Sequence, residues 1–145
     1  MDFALDTEQR LLVDAIRAFV DRELVPHEDT VEKTGEVTPE LDAQIRAKAI
    51  EHGFYAANMP EVLGGGLDEL STILMERELG RTSFALQYIV HRPSNILSAC
   101  TEDQMARYLK PTIAGDRVEA LALTEPGAGS NLRGMTTRTV RDGDG

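Results

Sequence analysis

The chain has no tryptophan, one cysteine and three histidines in 145 residues. Its single thiol, Cys100, cannot close an internal disulfide and has no CxxC partner. His27, His52 and His91 lie too far apart for metal-ligand spacing. Basic side chains are also scarce: 15 Lys and Arg stand against 25 Asp and Glu, a net charge of −10. Such a balance repels phosphate backbones and anionic lipid and argues against a nucleic-acid partner. A small anionic ligand stays open, because backbone amides and helix ends bind anions locally. No apolar run approaches the length of a membrane span. The opening Met1 to Asp6 lacks a basic stretch followed by an apolar one, so no signal peptide is read there and the cytoplasm is the default expectation.

What is present is ordinary for a folded domain: 41% hydrophobic and 28% charged residues, a composition unlike that of disordered chains. The length suits one domain, or one domain and part of another. A complete domain of this size buries roughly 70% of its unfolded surface.

Helical periodicity dominates the first four-fifths of the chain. Leu11, Leu12, Ala15, Ile16, Phe19, Val20 and Leu24 recur at helical spacing. Asp6 with Gln9 offers a capping pair, and Pro26 is expected to end that helix, leaving His27 to Val37 as a loop. A second helix begins at Thr38-Pro39, a capping hydroxyl followed by a first-turn proline. Leu41, Ile45, Ala49 and Ile50 form its stripe and Gly53 its stop. The run Pro60 to Gly66 reads as a loop. A third helix spans about residues 68–79, with Leu70, Ile73, Leu74 and Leu79 inward. A fourth spans about residues 83–91 and carries Phe84, Leu86, Ile89 and Val90, with Pro93 breaking or restarting it. A short piece covers Asn95 to Cys100. Thr101 with Gln104 repeats the capping box before Met105, Tyr108 and Leu109, and Lys110-Pro111 closes that helix.

After Gly115-Asp116 the texture changes. Val118 to Leu123 reads as a strand, and Thr136 to Arg141 alternates with β-formers before the turn signal Asp142-Gly143. A hairpin needs a second strand, so the sequence is expected to stop inside a β domain. The fold class is therefore mainly α: a helical domain of about five to six helices over residues 1–116, then the first strands of a truncated β domain over 117–145.

Between the two strands lies Leu121-Ala122-Leu123-Thr124-Glu125-Pro126-Gly127-Ala128-Gly129-Ser130-Asn131. A strand enters a turn set by Pro126, two glycines let successive N–H groups converge, and Ser130 adds a hydroxyl. Such a loop can hold a pyrophosphate or a flavin edge. By glycine content alone the stronger reading is a flexible connector between strands. It is not a dinucleotide fingerprint, since no helix follows and Leu132 holds the third glycine position, nor a Walker loop, since no Gly-Lys-Ser/Thr occurs.

The run Leu123 to Ser130 resembles the signature of the acyl-CoA dehydrogenase family. Thr101-Glu102-Asp103-Gln104, Tyr108-Leu109-Lys110-Pro111 and Gly115-Asp116 resemble the family's helix and turn just upstream. Met59-Pro60-Glu61 with Gly64-Gly65 is similar to its interhelical loop, Glu76 to Gly80 to the end of a family helix, and Asp142-Gly143 to its first β turn. The resemblance implies FAD against the β domain. Leu121 and Leu123 would flank the isoalloxazine, Thr124 would bond its pyrimidine edge, and Gly129 and Ser130 would approach the pyrophosphate. Ser130 would also touch the acyl-CoA. It further implies dehydrogenation of an acyl-CoA thioester, an electron acceptor such as an electron-transfer flavoprotein, and a homo-oligomer, dimer or tetramer, at full length. Asn131 stands where many relatives have aspartate. Leu63 replaces a frequent aromatic residue, and Gly66 lengthens its loop. The family's catalytic carboxylate lies beyond Gly145, so no residue here is assigned as the base and none as a metal ligand.

The remaining candidates have plainer readings. Glu125 is structural in its turn, and Cys100 is a small core residue on an apolar helix face. Glu76, Glu78, Arg77 and Arg81 form a solvated face, with Arg77 and Arg81 repelling at i,i+4. His91-Arg92 sits at a helix C-terminus, where a cation suits the dipole. A substrate contact by Arg92 competes, because the family's acyl pocket borders this region. Gly64-Gly65-Gly66 is a sharp turn rather than a phosphate loop. Two other functions stand beside the enzyme fragment: a helical interaction module that pairs with another subunit, and a related flavoenzyme such as an acyl-CoA oxidase.

Overall fold

The computed structural model of the chain describes residues 4–90 and 93–143. His91, Arg92 and the first three residues thus lie outside the described residues. Seven helical segments occur among those described: α1 (Thr7–Phe19), α2 (Val25–Thr34), α3 (Pro39–Glu51), α4 (Glu69–Leu79), α5 (Phe84–Val90), α6 (Glu102–Gln104) and α7 (Lys110–Ile113). The caps follow the sequence pattern. Asp6 accepts from the Gln9 amide at 2.8 Å while Gln9 returns a bond to the Asp6 amide at 3.1 Å. Thr101 and Gln104 repeat this at 3.4 and 3.0 Å. Thr38 caps α3 and Asp68 caps α4.

Neither proline expected to stop a helix does so. A π turn, Val20–Leu24, joins α1 to α2, and the helix runs through Pro26 to Thr34. A second π turn, Met105–Leu109, joins α6 to α7, and the helix runs through Pro111 to Ile113. In an α-helix each proline would lack a donor and clash with the carbonyl four residues back. The π turn inserts one extra residue. The amides of Val25 and Lys110 reach the carbonyls of Val20 and Met105, five residues back, so the ladder is already opened where the ring arrives.

The core gathers Ile16, Phe19, Val20 and Leu24 with Ile45, Ala49, Met75, Leu79, Leu86 and Leu109. It also includes a non-helical segment, Phe54, Tyr55, Ala56, Ala57 and Met59, all buried. Phe19 meets Phe54 edge-on at 5.3 Å between ring centres, a favourable aromatic arrangement. Leu11, Ile50, Leu70, Ile73 and Phe84 were expected inside and are instead exposed, as is Ala15. Cys100 is free and half-buried at the end of a 3₁₀ turn, not on a helix face.

The face of α4 is the largest correction. Leu74 and Leu79 are buried as expected, but Ser71, Met75 and Glu78 point inward with them in place of Leu70 and Ile73. Glu78 is 3% exposed, not solvated. Arg17 on α1 grips it with two bonds, Nε to Oε2 at 3.1 Å and Nη2 to Oε1 at 3.2 Å. Arg77 adds two more, at 3.2 and 2.9 Å, and Arg81 stands 3.9 Å away while pairing with Asp21 at 3.0 Å. A buried carboxylate is tolerable only when paired and hydrogen-bonded. The Arg17 hydrogen bond holds the Glu78 carboxyl below the usual range, and burial opposes it.

Beyond Asp116 the backbone is extended, but the expected strands at 118–123 and 136–141 form no ladder among the described residues. The one bridge is Glu125 with Ala128. An extended segment becomes a strand only when a neighbour takes its N–H and C=O groups, and here none does. Two bonds nonetheless locate it. Arg46 of α3 donates to the Gly115 carbonyl at 3.2 Å, and the Ser94 amide donates to Glu119 Oε1 at 2.6 Å. No helix among the described residues is long and apolar enough to cross a membrane.

Substitutions at Glu78 and Gly65 test the packing. Glu78→Ala should lower the unfolding free energy by about 3 kcal/mol, the low end for breaking a buried pair because the arginines stay half in water. The folded pKa lies below the unfolded value of 4.5. The contribution is therefore complete above that value and fades as pH falls below it. Urea unfolding of wild type and Glu78→Gln at neutral and acid pH should show a gap that narrows in acid. Gly65→Ala should cost at least about 3 kcal/mol, because a Cβ there would sit 2.0 Å from the Met59 carbonyl oxygen and 2.7 Å from that of Ala56. Thermal unfolding of that variant measures it.

Candidate functional site

A cleft of about 440 Å³ opens between α4, α5, the turn at Pro93 to Asn95 and the extended segment at Glu119 to Leu121. Phe84, Tyr88, Pro93 and Leu121 supply its apolar walls. Asn58, Glu76, Gln87, Asn95 and Glu119 bring polar groups to it. Asn58 positions one wall: its amide donates to the Pro93 carbonyl at 2.9 Å and to Asn95 Oδ1 at 2.7 Å. The Ser94–Glu119 bond then fastens the extended segment to that same turn. Three stretches far apart in sequence thus meet at one opening.

Of the five residues expected to meet a flavin, Leu121 lines this cleft, 58% exposed. Leu123, Thr124, Gly129 and Ser130 do not line it and are exposed farther along the segment. Periodicity missed Glu76, Gln87, Tyr88 and Glu119. No pattern within one helix reveals that α4, α5 and a remote extended segment share a cavity. Arg92, the competing substrate contact, lies outside the described residues.

The loop itself is neither helical nor buried. The amides of Glu125 and Ala128 exchange bonds with each other's carbonyls at 3.0 and 3.1 Å, closing a tight turn over Pro126-Gly127. Ala128, 2% exposed, anchors it. A Cβ added at Gly127 or Gly129 would meet nothing within 4 Å, so the fold does not require glycine at either place. Among the described residues the N–H groups of Gly129 and Ser130 donate to no backbone carbonyl. These exposed donors beside open space fit a polyanionic group such as a flavin nucleotide's pyrophosphate.

Glu125 is occupied. Its carboxylate accepts from the Thr136 amide at 2.8 Å, the Thr136 hydroxyl at 3.0 Å and the Thr137 amide at 2.7 Å. Bonds from the Thr137 side chain first, then from the Thr136 and Thr137 amides, lower its pKa to about 2. A carboxylate so satisfied is a clip across the loop and a poor proton acceptor. The clip is complete above the ordinary carboxylate value of 4.5 and is lost as pH falls toward about 2. NMR of the Thr136 and Thr137 amides should show a common titration centred near the lower value. In Glu125→Gln both amides should exchange with solvent faster at neutral pH.

Comparison with known proteins adds to this geometry. The chain is 34% identical over 145 residues to the 3-(aryl)acrylate reductase of Clostridium sporogenes, covering 95% of this chain and 37% of that protein. It is 35% identical over 144 residues to the caffeyl-CoA reductase–Etf complex subunit CarC of Acetobacterium woodii, covering 94% and 37%. With the mitochondrial long-chain specific acyl-CoA dehydrogenase of Mus musculus it shares 33% identity over 143 residues, covering 94% and 32%. The chain thus spans about a third of the length of these relatives. Residues 6–116 match the model of the acyl-CoA dehydrogenase N-terminal domain, and with three-quarters of its length in that match the chain belongs to the acyl-CoA dehydrogenase family.

Proposed function

We propose that the chain supplies the helical domain, residues 1–116, and the opening of the flavin-binding β domain, from 117, of an FAD-dependent oxidoreductase acting on the α,β carbons of an acyl-CoA thioester. One observation carries this: an extended segment fastened beside a cleft ends in an exposed turn whose Gly129 and Ser130 amides are open. Leu121 and Leu123 would flank the flavin ring, Thr124 would bond its edge, and Gly129 and Ser130 would hold its pyrophosphate. Ser130 would also meet the thioester. Bound FAD would supply the hydride acceptor. The residues of this chain orient and enclose, and the cleft between α4 and α5 would take the acyl group. None is assigned as the base; Glu125 is committed to its threonines.

The name of the Acetobacterium woodii relative places it in a complex with Etf, which supports an electron-transfer flavoprotein as redox partner. The reductase names also support a reading in which the reaction runs toward saturating the double bond. A homo-oligomer is proposed for the full-length protein. The compartment stays open, since one relative's name is mitochondrial.

The missing strand ladder supports a further statement: these 145 residues alone bind FAD weakly or not at all and turn over no thioester. Stoichiometric flavin with turnover in this chain alone would contradict that. The site is tested by Gly129→Val. It should leave the melting temperature of this chain unchanged, given the open space there. It should lower flavin occupancy of the intact gene product roughly tenfold, the scale of one lost charge-assisted hydrogen bond. Unchanged flavin absorbance in the purified variant would remove the loop from the flavin site.

A further inference from the structure

Phe84 and Tyr88 sit one helical turn apart on α5 with ring centres 5.3 Å apart and planes inclined by 29°. They are 72% and 42% exposed, so the core gains little from either ring. Together they present a flat aromatic wall to the cleft, with Leu121 and Pro93 as its other apolar surfaces. The rest of the lining is polar. Gln87 and Asn95 carry amides, and Glu76 and Glu119 carry carboxylates. A saturated chain laid there would strip water from the Gln87 and Asn95 amides and return no hydrogen bond. A planar ring loses less: its face or edge stacks on the aromatic pair, and a polar ring substituent meets the amides.

We infer that this cleft selects an aryl-bearing acyl thioester over a saturated one, with Phe84 the residue that decides the preference. The inference rests on the acyl-site reading above and adds the substrate class to it. Selection comes from the π face, not from ring size or carbon number.

The test uses 3-phenylpropionyl-CoA, 3-cyclohexylpropionyl-CoA, octanoyl-CoA and free CoA, each titrated into this chain and followed by backbone amide NMR. The two ring probes have the same carbon skeleton, and the saturated ring lacks the planarity and the π face of the phenyl ring. The phenyl thioester should move the amides of Gln87, Tyr88 and Leu121 and bind roughly fivefold tighter than the cyclohexyl one, the scale of one aromatic pair. Phe84→Leu keeps an apolar side chain at an exposed position, so the fold should survive, and the ratio should fall to one. A wild-type ratio at or below one, a ratio unmoved by Phe84→Leu, tighter binding of octanoyl-CoA, shifts lying elsewhere, or no binding at the cleft would each overturn the inference. The measurement needs no flavin. Aryl selection can therefore hold while flavin occupancy of the intact gene product fails, and flavin can bind while selection fails.

Discussion

A carboxylate left 3% exposed dictates how the helices face one another. Glu78 can enter the interior only with guanidinium groups around it, and Arg17 reaches it from α1 along two bonds. That contact sets the rotation of α4 about its own axis. With Glu78 inward, Ser71, Leu74 and Met75 turn in with it, and Leu70 and Ile73 turn out. Glu76, two residues from Glu78 and so on another face, arrives at the cleft. Burial of two leucine-sized side chains would have favoured the other rotation. The ion cluster and the well-filled Met75 position outweigh it.

The same logic of satisfied polar groups explains the segments around the helices. Both prolines that sequence rules treat as stops are carried inside continuous helices, because a π turn has already released the backbone bond each would break. The extended stretch after Asp116 has no such remedy within the described residues. It joins no strand ladder there, and side-chain bonds reach it at Gly115 and from Ser94. Glu125 then clips the following loop through three donors. Extended chain outside a ladder is suited to receiving further strands. This agrees with relatives nearly three times its length.

The cleft follows from that arrangement. Asn58, in a loop buried among helices, holds the turn at Pro93, which holds Glu119, which brings Leu121 over α5. In the function proposed above, a helical wall shapes the acyl site and a glycine-rich turn meets the nucleotide. The two are joined by a few residues of extended chain.

Local chemistry was legible from the residues alone. Capping boxes at Asp6 and Thr101, the Thr38-Pro39 start, the Gly53 stop and the family signature at Leu123 to Ser130 each depend on neighbours within a few positions. What faces inward was not. Leu70, Ile73 and Phe84 look like core by hydropathy, and Glu78 looks like surface. Glu78 is held inside by Arg17, sixty-one residues away, and the others were placed by which helix met which. The strand-like segments carried strand propensity but no partner, and propensity alone makes no ladder. Periodicity records one element's preference for an apolar neighbour. Only the packed chain supplies that neighbour, and with it the depth, charge and shape of the site.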